Sequence, residues 1–267
     1  MQTSLEKLWD HKLFLFCLLV VGFAVLVSNL LGTQTANVMT DLLYVPVSGG
    51  VLILSVIIAV KFRGQSDLGR AYLLFTGFVS FWFVGELVWL RSELVSHLLP
   101  FPVETDWMYL AGYPFLLAFM SYYLKPFRLA ISKKMLLQAS LATVVFLIPS
   151  LYTMYSYNPS TSLLDIVWAA LYPISDAIVL FPAVLGLSLF IKGKVGLLWS
   201  FCCIAIILNI IADSGFFFFD TNNSNSGNPL NILSLWSYIL FAFGIYSHVK
   251  LYSSPKKKSY GNVEDLK

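Results

Sequence analysis

The sequence predicts an all-α, polytopic membrane protein with eight transmembrane helices. The first observation behind this class is composition: the 267 residues are 58% hydrophobic and 12% charged, whereas soluble domains carry about 25% charged residues. The second is the recurrence of apolar runs of about 20 residues, each long enough to cross roughly 30 Å of hydrocarbon at about 1.5 Å per residue. The third is the distribution of lysine and arginine along the chain.

The apolar runs define the elements in order. We predict spans near residues 12–32, 42–61, 70–90, 107–124, 135–155, 165–191, 197–219 and 230–251. The first run is longer than the core of a typical cleavable signal, so we interpret it as a span. Because the connections are short, we expect one membrane domain at residues 1–255, with halves at about 12–125 and 130–252, and a disordered cytoplasmic tail at 256–267.

The basic residues predict the orientation, because lysine and arginine are retained on the cytoplasmic side of a membrane. With eight spans, the termini and the second, fourth and sixth connections share one side, and they hold Lys7, Lys12, Lys61, Arg63, Arg70, Lys125, Arg128, Lys133, Lys134, Lys192, Lys194, Lys250, Lys256, Lys257, Lys258 and Lys267. Only Arg91 falls on the other side, whose connections carry Asp41, Glu93, Glu104, Asp106, Asp165 and Asp220. We therefore predict a multi-pass protein of the cell membrane with both termini in the cytoplasm.

Three acidic residues lie inside the apolar runs. Glu86, Asp176 and Asp213 all fall toward the outer side of their predicted spans. An ionisable group inside a span costs from about 2.5 to more than 10 kcal/mol, so it usually marks a function or a buried partner. These three residues are the first candidates for a binding site and, if the protein hydrolyses a lipid, for its catalytic residues.

Helical spacing places polar or aromatic residues on the same face as each acid. Such companions are Trp82 and Trp89 for Glu86, Asn209 for Asp213, and Trp168 and Tyr172 for Asp176, while the fourth span adds Asp106, Tyr109 and Tyr113 and the eighth adds Trp236. A ring of carboxylates and aromatic faces would suit a cation or amine, through cation–π attraction of about 0.5 to 2 kcal/mol per ring, or an amphiphile with an uncharged head. We expect an outward-facing pocket for an unknown small molecule or lipid.

Two structural interpretations remain open beside this one. Tryptophan and tyrosine gather at membrane interfaces in polytopic proteins generally. A buried acid can also serve as a hydrogen-bonding link between helices, without a ligand.

An internal repeat relates the two halves of the chain. Tyr44 and Pro46 in the second span correspond to Tyr172 and Pro173 in the sixth, and Glu86 in the third corresponds to Asp213 in the seventh. Four helices separate the equivalent positions, so the halves would be parallel repeats about an axis near the membrane normal. We predict a duplicated four-helix unit.

Signals for several familiar chemistries are missing from the sequence. His11, His97 and His248 lie near or outside the predicted membrane ends and form no pair at metal-ligand spacing. Cys17, Cys202 and Cys203 lie in spans, where a small buried apolar role is expected. We expect no metal, no cofactor and no nucleic-acid partner, and we expect binding rather than catalysis.

Two segments resemble a known family. ETDWMYLAGYPFLLAF at 104–119 and WAALYPISDAIVLFPAVL at 168–185 look like the recurring segments of the multi-span membrane sensory regions that precede bacterial GGDEF diguanylate cyclase domains. The resemblance implies an eight-helix sensing or ligand-binding module in which the matching residues are Asp106, Tyr109, Tyr113, Pro114, Tyr172, Pro173 and Asp176. Here the polar residues 253–267 follow the last span instead of a cyclase domain, so we expect signalling to need a partner protein on the cytoplasmic side.

A second, fainter resemblance is to the lysoplasmalogenase-like eight-span membrane hydrolases. It implies a general acid that protonates an enol ether and a second carboxylate that activates water, roles that Glu86 or Asp213 could share with Asp176. The Lys-Pro near the second span of that family is absent, and VPVSGG stands in its place. We therefore rank ligand binding first, lipid hydrolysis second, and cation- or proton-coupled transport third.

Overall fold

The computed structural model describes residues 4–63, 66–95, 104–157, 163–192, 195–219 and 228–253, and within these ranges every regular element is a helix. The long helices are α1 (Ser4–Leu30), α2 (Thr33–Lys61), α3 (Ser66–Val95), α4 (Glu104–Leu124), α5 (Lys133–Tyr157), α6 (Leu163–Phe190), α7 (Gly196–Phe219) and α8 (Asn231–Ser253). A short 3-10 helix, Lys125–Ala130, joins α4 to α5. The tail expected at 256–267 and His97 lie outside the described residues.

Seven helices in the described part of the chain are long and apolar enough to cross a membrane. They are α1, α2, α3, α5, α6, α7 and α8, and they confirm a multi-pass membrane protein. The remaining long helix, α4, is the shortest at 21 residues and contains Glu104, Asp106 and several tyrosines. Its sequence is therefore too polar to identify it as a span by composition alone.

Six of the helices pack into a closed ring. Around the ring, α2 contacts α3, α3 contacts α4, α4 contacts α6, α6 contacts α7, α7 contacts α8, and α8 returns to α2. The other two long helices lie outside the ring: α1 packs against α2 and α8, and α5 packs against α6 and α7. The interior of the ring is therefore lined by side chains from six helices.

The two ends of the bundle differ in charge. The last residues of α1, α3, α5 and α7 and the first residues of α2, α4, α6 and α8 lie at one end, which we call the acidic end, and the opposite end, which we call the basic end, carries Lys61, Arg63, Lys125, Arg128 and Lys133. At the basic end, Lys61 Nζ donates to the carbonyl oxygen of Val249 at 3.3 Å. Lys125 Nζ lies 3.3 Å from an Asp67 carboxylate oxygen.

Aromatic residues fill the middle of the ring. Phe75, Phe78, Phe119 and Phe241 are all buried, and their ring centroids lie 5.0 to 5.9 Å apart in edge-to-face or tilted pairs. Such pairs contribute about 0.5 to 1.5 kcal/mol each beyond simple burial. This phenylalanine layer separates the polar groups of the acidic end from those of the basic end.

Glycines allow α3 and α4 to approach closely. A Cβ atom at Gly112 of α4 would lie 2.6 Å from Trp82 Cδ1 of α3, and a Cβ atom at Gly85 of α3 would lie 2.9 Å from Tyr109 Cε1 of α4. Both distances are shorter than real Cβ contacts, so each large ring occupies the space that the facing glycine leaves open. Trp82 Nε1 also donates to the Tyr109 carbonyl oxygen at 3.1 Å, which fixes the indole over Gly112.

The turn between α1 and α2 places the start of α2 earlier than the sequence predicts. Gly32 has φ +109° and ψ 158°, a conformation that is essentially restricted to glycine. Helix α2 then begins at Thr33 rather than near residue 42. Asp41 is therefore inside a helix and buried, and the expectation that it lies in an outer connection is wrong.

Candidate functional site

The three acids singled out in the sequence lie toward the acidic end of the ring. Glu86 on α3 is 6% exposed and Asp176 on α6 is 2% exposed, while Asp213 on α7 is partly buried. Their helices are all members of the ring. Each acid therefore needs a hydrogen-bonding or charged partner inside the bundle.

Asp176 has one satisfied and one unsatisfied oxygen. The Tyr113 hydroxyl donates to Asp176 Oδ1 at 2.7 Å. Oδ2 is buried and has no hydrogen-bond partner among the described residues, although the Asp213 carboxyl lies beside the Asp176 carboxyl. Two neighbouring carboxyl groups in a low-dielectric setting are unfavourable unless a proton or a cation is shared between them.

Glu86 lies in a box of aromatic rings. The Tyr238 hydroxyl donates to Glu86 Oε1 at 2.7 Å, and the Tyr109 hydroxyl is a second hydrogen-bonding neighbour. Trp82 contacts the rings of Tyr109, Tyr113 and Tyr238 with centroid distances of 6.2, 5.9 and 5.6 Å. Trp82 therefore connects the Glu86 side of the site to the Asp176 side.

Asp106 is buried near the start of α4 and pairs with α6. The Tyr172 hydroxyl donates to Asp106 Oδ1 at 2.5 Å. The same tyrosine is within electrostatic range of Asp213 and Asp176. Asp106 therefore belongs with the intramembrane acids, although the charge pattern of the sequence assigns it to a connection.

Asp41 on α2 adds an acid from a fifth helix, and sequence reasoning missed it as a site residue. It is 3% exposed, and its Oδ2 atom has no hydrogen-bond partner among the described residues. Its neighbours are Glu93 and Glu86, with a hydrogen bond from Trp89. The sequence contained a pattern that could have identified Asp41, because polar residues and a tyrosine recur there at helical spacing, as expected for a polar stripe on one face of a helix. The stripe consists of Asn37, Thr40, Asp41, Tyr44 and Ser48 on α2, and all five are buried.

Two hydrogen bonds besides Tyr238–Glu86 connect this region to α8. The Tyr44 hydroxyl donates to Asn231 Oδ1 at 2.8 Å, and Ser237 Oγ donates to Asn209 Oδ1 at 2.9 Å. Tyr44 is also within electrostatic range of Glu86, Asp41 and Asp213. We use the name acid–tyrosine cluster for Asp41, Glu86, Asp106, Asp176 and Asp213 with Tyr44, Tyr109, Tyr113, Tyr172 and Tyr238.

The acid–tyrosine cluster has no buried basic residue among its described neighbours. Arg91 is the basic residue that the described chain carries at this end, and it is exposed. Within the described ranges the one ion pair is Lys125–Asp67, at the basic end. Because a buried carboxylate is strongly disfavoured without a compensating partner, the cluster must hold protons, a bound cation, or both.

Two tryptophans predicted for the site point elsewhere. Trp168 packs edge-on against Trp107, with a centroid distance of 4.3 Å, and Trp107 is 60% exposed. Trp236 Nε1 donates to the Leu18 carbonyl oxygen on α1 at 3.0 Å. By contrast, Trp82, Trp89, Tyr109, Tyr113, Tyr172 and Asn209 lie in or beside the acid–tyrosine cluster.

A second polar group occupies the basic end of the ring. His248 is buried between Tyr72, which bonds to Nδ1, and Tyr123, whose hydroxyl lies 3.1 Å from Nε2. The sequence assigned His248 to the membrane end, but α8 continues to Ser253 and the ring packs around the imidazole. We use the name histidine–tyrosine cluster for Tyr72, Tyr123 and His248.

Searches for metal-binding geometry and for related proteins returned no match. In the part of the chain that the structure describes, no group of three or more histidine, cysteine, aspartate or glutamate side chains is arranged to hold a metal ion. No family model, no curated protein and no solved structure matches the chain. The resemblances to cyclase-linked sensory regions and to lysoplasmalogenase-like hydrolases therefore stay predictions.

Proposed function

We propose that this protein is an eight-span receptor-like membrane protein that binds an organic cation of the amine class at the acid–tyrosine cluster. The observation that carries the proposal is the group of buried carboxyl groups without a basic partner among the described residues: Asp41 Oδ2 and Asp176 Oδ2 have no conventional hydrogen bond, and the Asp213 carboxyl is the acidic neighbour of Asp176. An amine would supply the missing hydrogen bonds and the missing positive charge, and the face of Trp82 would add cation–π attraction. Signalling would then pass to a partner protein on the cytoplasmic side.

The place of α4 in the ring supports eight spans. Helix α4 packs along α3 and α6, and its hydrogen bonds run from Tyr172–Asp106 near one end to Tyr123–His248 near the other. Its polar and tyrosine residues Thr105, Asp106, Tyr113 and Tyr123 are buried rather than exposed to lipid. We infer that a helix packed in this way between two apolar helices spans the same depth that they do.

The contact pattern also supports a duplicated four-helix unit. The contacts α2–α3, α3–α4 and α4–α6 correspond to α6–α7, α7–α8 and α8–α2 when the halves are exchanged. The same exchange relates the hydrogen bond from Tyr44 to Asn231 to the one from Tyr172 to Asp106. The outer helices depart from this symmetry, since α1 packs on α8 whereas α5 packs on α7.

Orientation is part of the proposal and has a direct test. The positive-inside rule places the basic end, and with it both termini, in the cytoplasm of a cell membrane. A reporter enzyme that works only in the cytoplasm should be active when it is fused after Lys267. A reporter that works only outside the cytoplasm should be active when it is inserted at residue 223, in the connection after α7. The reverse pattern would place the acid–tyrosine cluster toward the cytoplasm and exclude an external ligand.

The binding proposal is tested by native mass spectrometry of the protein in mild detergent. Wild type should carry an amine adduct that Asp176→Asn loses, because asparagine keeps the oxygen that accepts from Tyr113 but removes the charge. Asp67→Asn is the matched control, since it makes the same chemical change at the basic end and should keep the adduct. Tetramethylammonium chloride, compared with sodium chloride, should raise the melting temperature of wild type and not of Asp176→Asn.

Two results would contradict amine binding. The first is that wild type and both variants give identical mass spectra without an adduct, and that tetramethylammonium leaves every melting temperature unchanged. The acids would then be protonated links between helices. An adduct retained by Asp176→Asn would place the ligand outside the cluster.

The contact between Asp176 and Asp213 favours lipid hydrolysis as a second candidate function. A carboxyl pair that shares one proton can supply a general acid and a general base. Purified protein incubated with an alkenyl lysophospholipid would release aldehyde, and Asp213→Asn would abolish the release while Asp67→Asn would not. Transport stays third, because the phenylalanine layer packs the interior beneath the acids.

A further inference from the structure

A lateral crevice opens on the side of the bundle, away from the acid–tyrosine cluster. Helix α5 packs mainly on α6 and α7, and α4 packs mainly on α3 and α6, so α4 and α5 are bridged at the basic end by the 3-10 helix at Lys125–Ala130. The crevice between them has a volume of about 690 Å³, within the range of about 300 to 1,000 Å³ that is typical of ligand sites. Helix α6 forms its floor.

The walls of the crevice are apolar and extend from the basic end to beyond the middle of the hydrocarbon core, since Leu147 lies fourteen residues, or about 21 Å, from the start of α5. Leu117, Leu147, Ile174, Ile178 and Phe181 contribute to the lining. Leu117 lies seven residues from the end of α4, which is about 10 Å at helical rise. Thr143 lies ten residues from the start of α5, which is about 15 Å, half of a hydrocarbon core of roughly 30 Å. These dimensions suit an acyl chain.

The mouth of the crevice is positively charged. Lys125 and Arg128 line it, and Lys133 and Lys134 follow at the start of α5. Asp67, which pairs with Lys125 at 3.3 Å, offsets part of this charge. Arg128 is exposed and forms no ion pair with a described residue. Basic pockets between membrane helices on the cytoplasmic side are typical sites for anionic head groups.

We propose that this crevice binds an anionic phospholipid, with one acyl chain between α4 and α5 and the phosphate at Lys125 and Arg128. Thr143 Oγ1 is buried in the crevice wall without a hydrogen-bond partner among the described residues, and it lies at the depth of the acyl chain rather than of the head group. Charge and shape together select this occupant. A zwitterionic lipid has the same chains but no net charge for the mouth, and free phosphate has no chain for the apolar walls.

The test is lipid titration followed by native mass spectrometry, with phosphatidylglycerol and phosphatidylcholine of identical chains. Wild type should prefer phosphatidylglycerol, and the double variant Lys125→Gln/Arg128→Gln should lose about fivefold in that preference for each charge removed, or roughly 25-fold in total. The matched control is Lys133→Gln/Lys134→Gln, which removes the same charge from the same connection but not from the crevice lining. It should lose much less of the preference.

A second pair of variants tests the acyl chain. Ile178 lies in the crevice and is 48% exposed, so Ile178→Trp can fill the space without entering the packed core. It should abolish binding of both lipids at this site, whereas Val167→Trp, on the same helix outside the crevice, should leave binding unchanged. Equal binding of the two lipids to wild type, equal effects of the two charge variants, or full lipid binding by Ile178→Trp would each overturn the proposal. None of these variants alters the acid–tyrosine cluster, so the result is independent of the amine proposal.

Discussion

The acid–tyrosine cluster and the histidine–tyrosine cluster use similar chemistry at opposite ends of one ring, and they differ in whether their polar atoms are satisfied. Both imidazole nitrogens of His248 have tyrosine partners. At the acidic end, Asp176 Oδ2 and Asp41 Oδ2 are buried without partners among the described residues. Buried polar atoms are almost always hydrogen-bonded, so the exceptions need a specific explanation.

This difference separates a structural network from a candidate binding site. A satisfied network of one histidine and two tyrosines joins α3, α4 and α8 and has no remaining need for another molecule. A network with unpaired carboxylate oxygens is costly in a low-dielectric interior unless something else completes it. The comparison therefore predicts that changes at the basic end affect stability, whereas changes at the acidic end also affect ligand retention.

The largest effect is expected for His248→Ala. The substitution leaves a cavity and removes the hydrogen bonds that join the imidazole to the Tyr72 and Tyr123 hydroxyls, so we expect a loss of about 3 to 5 kcal/mol in the free energy of unfolding. The melting temperature in detergent, followed by tryptophan fluorescence, should fall on the order of 10 °C. Native mass spectra of the protein that remains folded should show the amine adduct at wild-type occupancy.

Two further observations bear on that result. His248→Gln, which keeps a donor and an acceptor, should recover part of the lost stability. If His248→Ala instead removed the adduct at unchanged melting temperature, the two clusters would not be separate in function, and the comparison would fail.

A smaller loss is expected for Gly112→Ala at the acidic end. A Cβ atom there would lie 2.6 Å from Trp82 Cδ1, so the indole must shift, at a cost of about 1 to 3 kcal/mol for overpacking. Because Trp82 contacts Tyr109, Tyr113 and Tyr238, the shift should also reduce adduct occupancy. Differential scanning fluorimetry and native mass spectrometry measure the two effects.

Gly50→Ala is the control for Gly112→Ala. Nothing lies within 4 Å of a Cβ atom at Gly50, so this change should be neutral or stabilising by less than about 1 kcal/mol. A Gly112→Ala protein as stable as Gly50→Ala would show that α3 and α4 are not packed as tightly as their glycines indicate.

The sequence predicted the class of fold and named four of the five acids, Glu86, Asp106, Asp176 and Asp213, because both depend on local patterns. An apolar run of sufficient length has few alternatives to a membrane helix, and an isolated carboxylate within such a run stands out. Asp41 was harder to recognise, since residues 33–40, TQTANVMT, are polar enough to be interpreted as a connection. Only the position of Gly32 and the burial of that polar stripe show that α2 begins earlier.

The directions of the tryptophans could not be predicted for a different reason. Trp168 and Trp236 share helical faces with polar residues, but a face about 100° wide can meet either the ring interior or a neighbouring outer helix. For Trp236 the neighbour is the outer helix α1, because the indole Nε1 donates to the Leu18 carbonyl oxygen. The packing of particular helices outside the ring depends on contacts between residues that are distant in the sequence, and the spacing of residues along one helix does not predict these contacts.

A third prediction compares tyrosines. Tyr113→Phe removes the donor to Asp176 Oδ1 and leaves that carboxyl with one neighbour fewer, so we expect a loss of about 1 to 2 kcal/mol. Tyr152→Phe makes the same change at a tyrosine that is 70% exposed on α5 and should fall within about 0.5 kcal/mol of wild type. Chemical denaturation in mixed micelles measures both, and equal values for the two variants would mean that the Asp176 bond contributes nothing.

The smallest effect is expected for Trp168→Leu. The Trp107–Trp168 contact lies where Trp107 is 60% exposed, and an edge-to-face pair of this kind contributes about 0.5 to 1.5 kcal/mol. We expect a loss within that range and unchanged adduct occupancy, because Trp168 packs on Trp107 rather than on the cluster. A double-mutant cycle with Trp107→Leu isolates the pair. If Trp168→Leu removed the adduct, the ligand would extend from the acids to the outer surface along α6, and the site would be larger than the acid–tyrosine cluster.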